Sequence, residues 1–172
     1  MKLWKNKALI PILICGTLFS GACAAVRIDI NGTVIASPCV VNGGQDSLSV
    51  RLGDNIQADS LSSVGSATDW VNFTLALTAC PTSTSSFSVA FSGTPDVSDP
   101  TKYTNTGSAT NLKLELTTQD GATVLSDGTA INNVAIPASH AYDLLLRTRA
   151  VSKGSVMPGS IIGQVQATFT YQ

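Results

Sequence analysis

Short runs of alternating apolar and polar residues constrain this chain more than any other feature. Val26, Ile28, Ile30, Gly32 and Val34 share one face of the first run, and Leu48, Val50 and Leu52 one face of the next. Phe73, Leu75 and Leu77 alternate before Cys80-Pro81, and Phe87, Val89 and Phe91 before Gly93. Leu112, Leu114 and Leu116 follow, then Tyr142, Leu144 and Leu146. The last run carries Ile161, Val165, Ala167, Phe169 and Tyr171. A period of two sends successive side chains to opposite faces, so each run predicts a half-buried strand. Gly, Ser, Thr, Asn and Asp break the runs, and neither heptads nor internal repeats are present. Charged residues make up only 12% of the chain. Many short strands with Ser/Thr-rich turns predict an all-β fold, an antiparallel β-sandwich. Asp120-Gly121 is a turn signal returning the chain towards Val124 and Leu125. Residues 58–68 are small and polar, a loop or one helical turn. Residues 94–108 hold two prolines and a glycine and predict a long surface loop.

The start of the chain has a different character. Lys2, Lys5 and Lys7 precede an apolar run from Ala8 to Phe19, and small residues follow through Ala25. This is the layout of a secretory signal peptide, with Ala22 and Ala24 flanking a cut after residue 24. The run is shorter than the roughly 20 residues that span a bilayer. A buried N-terminal helix and lipid attachment at Cys23 are the rival readings. Neither a helix cap nor a leucine three residues before Cys23 supports them.

Removal of 1–24 leaves Cys39 and Cys80, and an even count in an exported chain predicts one disulfide. Closing that loop removes roughly 4 kcal/mol of unfolded-state entropy. Two cysteines and the single histidine are too few for a metal site at these spacings. Seven basic residues then face eleven acidic ones, a net charge of about −4. No basic patch of the kind nucleic acids select is visible.

Catalysis finds little support. His140 lacks a Gly-x-Ser-x-Gly elbow and sits near Pro137, which makes it a loop residue. Glu115 and Asp120 are the carboxylates nearest to one another on a predicted strand pair, but Glu115 alternates with Leu114 and Leu116 and belongs to a solvated sheet face. Trp70 offers a sugar-stacking ring, though packing at the sandwich edge is the plainer role. The chain is read as neither an enzyme nor a cofactor protein.

The order of several weak motifs is more specific than any one of them. An alternating stretch with Asn31-Gly32 leads to Ser37-Pro38-Cys39, and Leu52-Gly53-Asp54 follows. Phe73-Thr74-Leu75-Ala76-Leu77 precedes Cys80-Pro81, then Phe91-Ser92-Gly93. Residues 103–112, Tyr-Thr-Asn-Thr-Gly-Ser-Ala-Thr-Asn-Leu, come before Leu114-Glu115-Leu116. Gly159 stands fourteenth from the end and Tyr171 is penultimate. In these features the chain resembles the type 1 fimbrial subunits of the chaperone–usher pathway, closest to minor tip subunits.

The resemblance implies an incomplete immunoglobulin-like sandwich completed by a donated strand. It implies a signal peptide at 1–24, a donor-strand extension at 25–36 and a pilin domain at 37–172. Val26, Ile28, Ile30, Gly32 and Val34 are then the donor row. Gly159, Ile161, Val165, Ala167, Phe169 and Tyr171 then line the acceptor groove and the chaperone-binding strand. The implied partners are other fimbrial subunits, a periplasmic pilus chaperone and an outer-membrane usher, with final placement in a cell-surface fimbrium. Gly32 has two readings: Asn-Gly is a common hairpin pair, whereas a glycine in a donor row marks close backbone approach. A sugar-binding adhesin is the alternative function. Adhesins of this family typically carry a separate lectin domain, for which one domain leaves no room.

Overall fold

The computed structural model describes residues 27–172. Val26 and the predicted signal segment lie outside them. Residues 27–33 form one unit and 34–172 the other. The first unit has no regular secondary structure within its described residues, so the alternating N-terminal run is not a strand here.

Nine strands build the second unit: β1 (Val40–Val41), β2 (Val71–Thr78), β3 (Ser86–Gly93), β4 (Pro95–Asp96), β5 (Asp99–Thr104), β6 (Thr110–Thr118), β7 (Ala130–Ala135), β8 (Tyr142–Met157) and β9 (Val165–Tyr171). One sheet has the order β1-β2-β8-β6-β5-β4, the other β7-β3-β9, and every pairing is antiparallel. The alternation seen in the sequence becomes the register. Phe73 lies opposite Leu146 and Leu75 opposite Leu144, while Val89 lies opposite Phe169. Their inward faces meet in one core with Phe87, Phe91, Leu77 and Leu116 buried at its centre. A smaller cluster of Leu61, Ala109, Leu112 and Ala150 extends it at one end.

The expected punctuation holds at two places. Ala58–Leu61 is a single 3-10 turn that plants Leu61 in the smaller cluster. Gly121, with φ of +76°, donates its N–H to the Thr118 carbonyl, and Thr117 then bridges to Val124. A side chain at that φ meets steric resistance that glycine escapes.

Three expectations are corrected. Residues 94–108 are not a long surface loop, because β4 and β5 lie within them. Asp96 is 2% exposed and bonded to Lys153 and Ser98, which fixes the hairpin that the prolines suggested was absent. The Leu48-Val50-Leu52 run is not a laddered strand. Glu115 does not belong to a freely solvated face. Its carboxylate pairs with Arg149 at 2.7 Å and lies 3.7 Å from Lys102, while Lys102 and Lys113 both reach Asp99 at 2.9 Å. Strand β7 carried no clear alternation. Asn133 has φ of +55° and the β3–β7 register shifts there, so Ile131 and Val134 reach one core through an irregular spacing.

Candidate strand-acceptor groove

Strand β9 has a neighbour on one side only. Gln172 and Ser86 exchange both main-chain hydrogen bonds, N–H of each to the carbonyl of the other, at 2.9 and 3.1 Å. In an antiparallel ladder bonded and non-bonded pairs alternate. The even-numbered residues of β9 therefore bond β3, and Val165, Ala167, Phe169 and Tyr171 aim their N–H and carbonyl groups away from it. The side chains of those same four residues share the apolar face. They are half-buried, or exposed in the case of Val165 at 39%. An apolar strand interior to a complete sandwich loses that exposure.

Beside this edge runs a groove of about 1910 Å³. Phe91, Leu114 and Leu146 are among its floor residues, and Ile161 to Ala167 and Phe169 form one wall. Leu48, Val50 and Leu52 stand on the other wall. That accounts for their missing ladder. The run lines the groove rather than pairing with a neighbouring strand.

Of the predicted groove residues, Gly159, Ile161, Val165, Ala167 and Phe169 line this groove, whereas Tyr171 lies outside it, beside Val34, Ile35 and Ala36. Ala167 and Phe169 pack on the main core, and Phe169 sits 5.8 Å from the Phe87 ring and 6.3 Å from Tyr171. Burial raises the Tyr171 phenol, with the Cys39 backbone amide pulling the other way. Ile161 packs instead against the smaller cluster. Gly159 lies at the exposed bend after β8. The predicted donor residues are open to solvent: Ile28 is 79% exposed, Ile30 92% and Val34 99%. A Cβ on Gly32 would meet nothing within 4 Å, so Asn31-Gly32 is not packed into a hairpin.

Cys39 and Cys80 are disulfide-bonded, which ties the segment before β1 to the end of β2. His140 is an exposed turn residue whose N–H bonds the Pro137 carbonyl. Trp70 is half-buried just before β2, with the guanidinium groups of Arg147 and Arg149 each 4.2 Å from its ring centroid. Among the described residues there is no cluster of metal-ligating side chains, and no helix is long and apolar enough to cross a membrane. Sequence reasoning missed the second wall and the floor, although Leu48, Val50 and Leu52 had shown the correct periodicity.

A family model described as fimbrial protein matches residues 28–172. The S-fimbrial adhesin protein SfaS of Escherichia coli is 35% identical over 97% of this chain and 99% of its own length. Protein FimG, also of Escherichia coli, is 36% identical over 86% of each chain. Among solved structures, the P pilus rod subunit PapA superposes with a TM-score of 0.66 at 15% identity, covering 79% of this chain and all of PapA. The P pilus adaptor subunit PapF gives 0.53 at 16% identity, covering 81% of this chain and all of PapF. The chain belongs to the fimbrial protein family, whose members are subunits of surface fimbriae rather than enzymes.

Proposed function

We propose that this chain is a structural subunit or tip adaptor of a type 1-like adhesive fimbria, polymerising by donor-strand exchange. The observation that carries the reading is the coincidence on β9. Residues 165, 167, 169 and 171 present free main-chain groups along one edge, and the side chains of the first three line one groove. Strand addition uses these two elements: backbone bonds supply affinity, and pockets for alternate side chains supply register. In this reading a periplasmic chaperone lends the first strand. At the outer-membrane usher, the next subunit's N-terminal extension replaces it.

Residues 1–24 are then a signal peptide, 25–36 the donor extension and 37–172 the pilin domain. The row of Ile28, Ile30 and Val34, exposed and alternating along one segment, supports the second assignment, since apolar side chains at a spacing of two suit alternate pockets. Deleting residues 25–36 tests it. The truncated subunit should be captured by the chaperone and should still accept a strand, yet fail to join the subunit ahead of it. Continued incorporation at the wild-type level would refute the donor role. Counting copies per purified fibre separates a repeating subunit from an adaptor.

A sugar-binding adhesin is a second reading. SfaS bears the word adhesin in its name and matches over 99% of its own length, so a single-domain length does not separate the two functions. Glycan-array binding by the strand-filled subunit would favour this reading.

A further inference from the structure

The acceptor edge continues past the sheet that bears it. Strand β3 ends opposite Val165, yet the chain runs without a turn or bend from there back to Ser160. Loop 105–109 takes over the role of β3. The Ile162 N–H donates to Asn105 Oδ1 at 2.8 Å, and its carbonyl accepts from the Thr106 N–H at 2.8 Å. The Ser160 carbonyl accepts from the Ala109 N–H at 3.0 Å, and Ser160 and Ser108 exchange backbone-to-hydroxyl bonds at 2.9 and 3.0 Å. A Cβ on Gly107 would run into the Ser160 carbonyl, and one on Gly159 into the Ala109 backbone. The two glycines are what allow this close approach.

Residues 160 and 162 thus bond the loop just as 166, 168, 170 and 172 bond β3. Residues 161 and 163 consequently turn their main-chain groups the other way, in line with 165 to 171. One free edge runs from Ile161 to Tyr171. At about 3.3 Å per residue that is about 33 Å, against about 20 Å for β9 alone. A donor row from Val26 to Val34 spans about 26 Å. It overhangs β9 but fits the extended edge.

One side chain organises the loop. Asn105 Oδ1 accepts from both Ile162 N–H and Gly107 N–H (3.1 Å), and its Nδ2 donates to the Ala109 carbonyl at 2.6 Å. We propose that Asn105 is a positioning residue for strand acceptance: it holds residues 160–163 extended so that a full-length donor strand seats along its whole row. This rests on the acceptor-groove reading given above.

The test uses the chain from residue 25, refolded with labelled synthetic peptides of residues 25–36, 25–31 and 30–36, with release rates measured. On the unsubstituted chain the long peptide should leave at least tenfold more slowly than either short one. Asn105→Ala should release the long peptide at least tenfold faster and one short peptide faster, leaving the other short peptide unchanged. An unaltered release of the long peptide overturns the proposal, and so does equal weakening of both short ones, which marks a general loss of fold. Failure of the unsubstituted chain to hold any peptide overturns the reading that its groove accepts the extension of a second copy, on which the length match rests. Should Asn105→Ala not refold, Asn105→Asp decides. It keeps the oxygen for both N–H groups and replaces the donor to Ala109 by a charged oxygen that repels that carbonyl, so it should speed release of the long peptide severalfold, and no change counts against the proposal.

Discussion

Replacing Ile30 by arginine should spare the subunit and break the fibre. Ile30 is 92% exposed in the subunit, and its neighbours Arg27 and Asp29 form an exposed ion pair at 3.0 Å. A surface change of this kind usually moves stability by no more than about 0.5 kcal/mol. Once the strand is donated, the balance changes. Full burial of an isoleucine contributes about 1.5–3 kcal/mol, and Ile30→Arg forfeits it. The guanidinium then either enters an apolar channel or bends out of it, which adds to the loss. A total of at least about 3 kcal/mol corresponds to more than a hundredfold weaker joining, at 1.4 kcal/mol per factor of ten. Two measurements check this: urea midpoints of the chaperone-bound subunit, and incorporation into fibres. The midpoint should stay put while incorporation collapses, and Arg27→Ala or Asp29→Ala should change neither by much. A large drop in the midpoint with normal incorporation would refute the reasoning, since Ile30 would then belong to its own domain's core.

Three further predictions rest on other parts of the molecule. Cys39→Ser should destabilise the subunit by roughly 4 kcal/mol, the entropy estimate for a loop closing 41 residues apart, and fibre incorporation should fall with it; reactive free thiols in the native protein would sink the idea. Acid should weaken the fold. Asp99 is held well below the usual carboxylate range by the Thr101 hydroxyl, Lys113 and Lys102, and Asp96 is lowered because Lys153 and Ser98 outweigh its burial. A depressed pKa stabilises above the unfolded value near 4 and loses that contribution as pH falls below it. Asp99→Asn should therefore cost about 1 kcal/mol at pH 7 and shrink the stability difference between pH 7 and pH 3; an unchanged difference would exclude Asp99 as a source. Tyr103→Phe should be neutral or stabilising by up to about 1 kcal/mol. The buried Tyr103 hydroxyl has no partner among the described residues, and burial with the Asp127 charge pushes it up to about 12, so a clear loss of stability in denaturant melts would show an unrecognised bond.

The strands of the sandwich were legible because their periodicity survives folding. Phe73-Leu75-Leu77 and Phe87-Val89-Phe91 face the core as their spacing dictates. Strand β7 was not legible, since an irregular register places Ile131 and Val134 three apart yet packs both on the core. Strands β4 and β5 hid behind their prolines, because what fixes them is the long-range pair of Asp96 with Lys153. The groove was half legible. The last run announced one wall, whereas the opposite wall and the Asn105 clamp depend on contacts between segments dozens of residues apart. Glu115 misled for the same reason: alternation says which way a side chain points but not that Arg149 and Lys102 await it.

Low charge and an open groove are two sides of one physical arrangement. On the donor-strand proposal, a subunit whose β9 face is finished by another chain keeps a groove with apolar side chains open, and in water such an edge favours association with other apolar strands. The disulfide and the Asp99 ion pairs involve residues that do not line that groove, so they stabilise the sandwich without filling it. Stability of the fold and strength of the fibre are thereby separable. On that proposal, substitutions at Cys39 or Asp99 should act on the first, and those at Ile28, Ile30 or Val34 on the second. Phe169 belongs to both, because its ring already packs on Phe87 while its face borders the groove. Phe169→Arg should therefore lower the subunit's stability and its capture by the chaperone together, in contrast to Ile30→Arg. A Phe169→Arg subunit that is captured normally and also joins the fibre normally would place the groove elsewhere than beside β9.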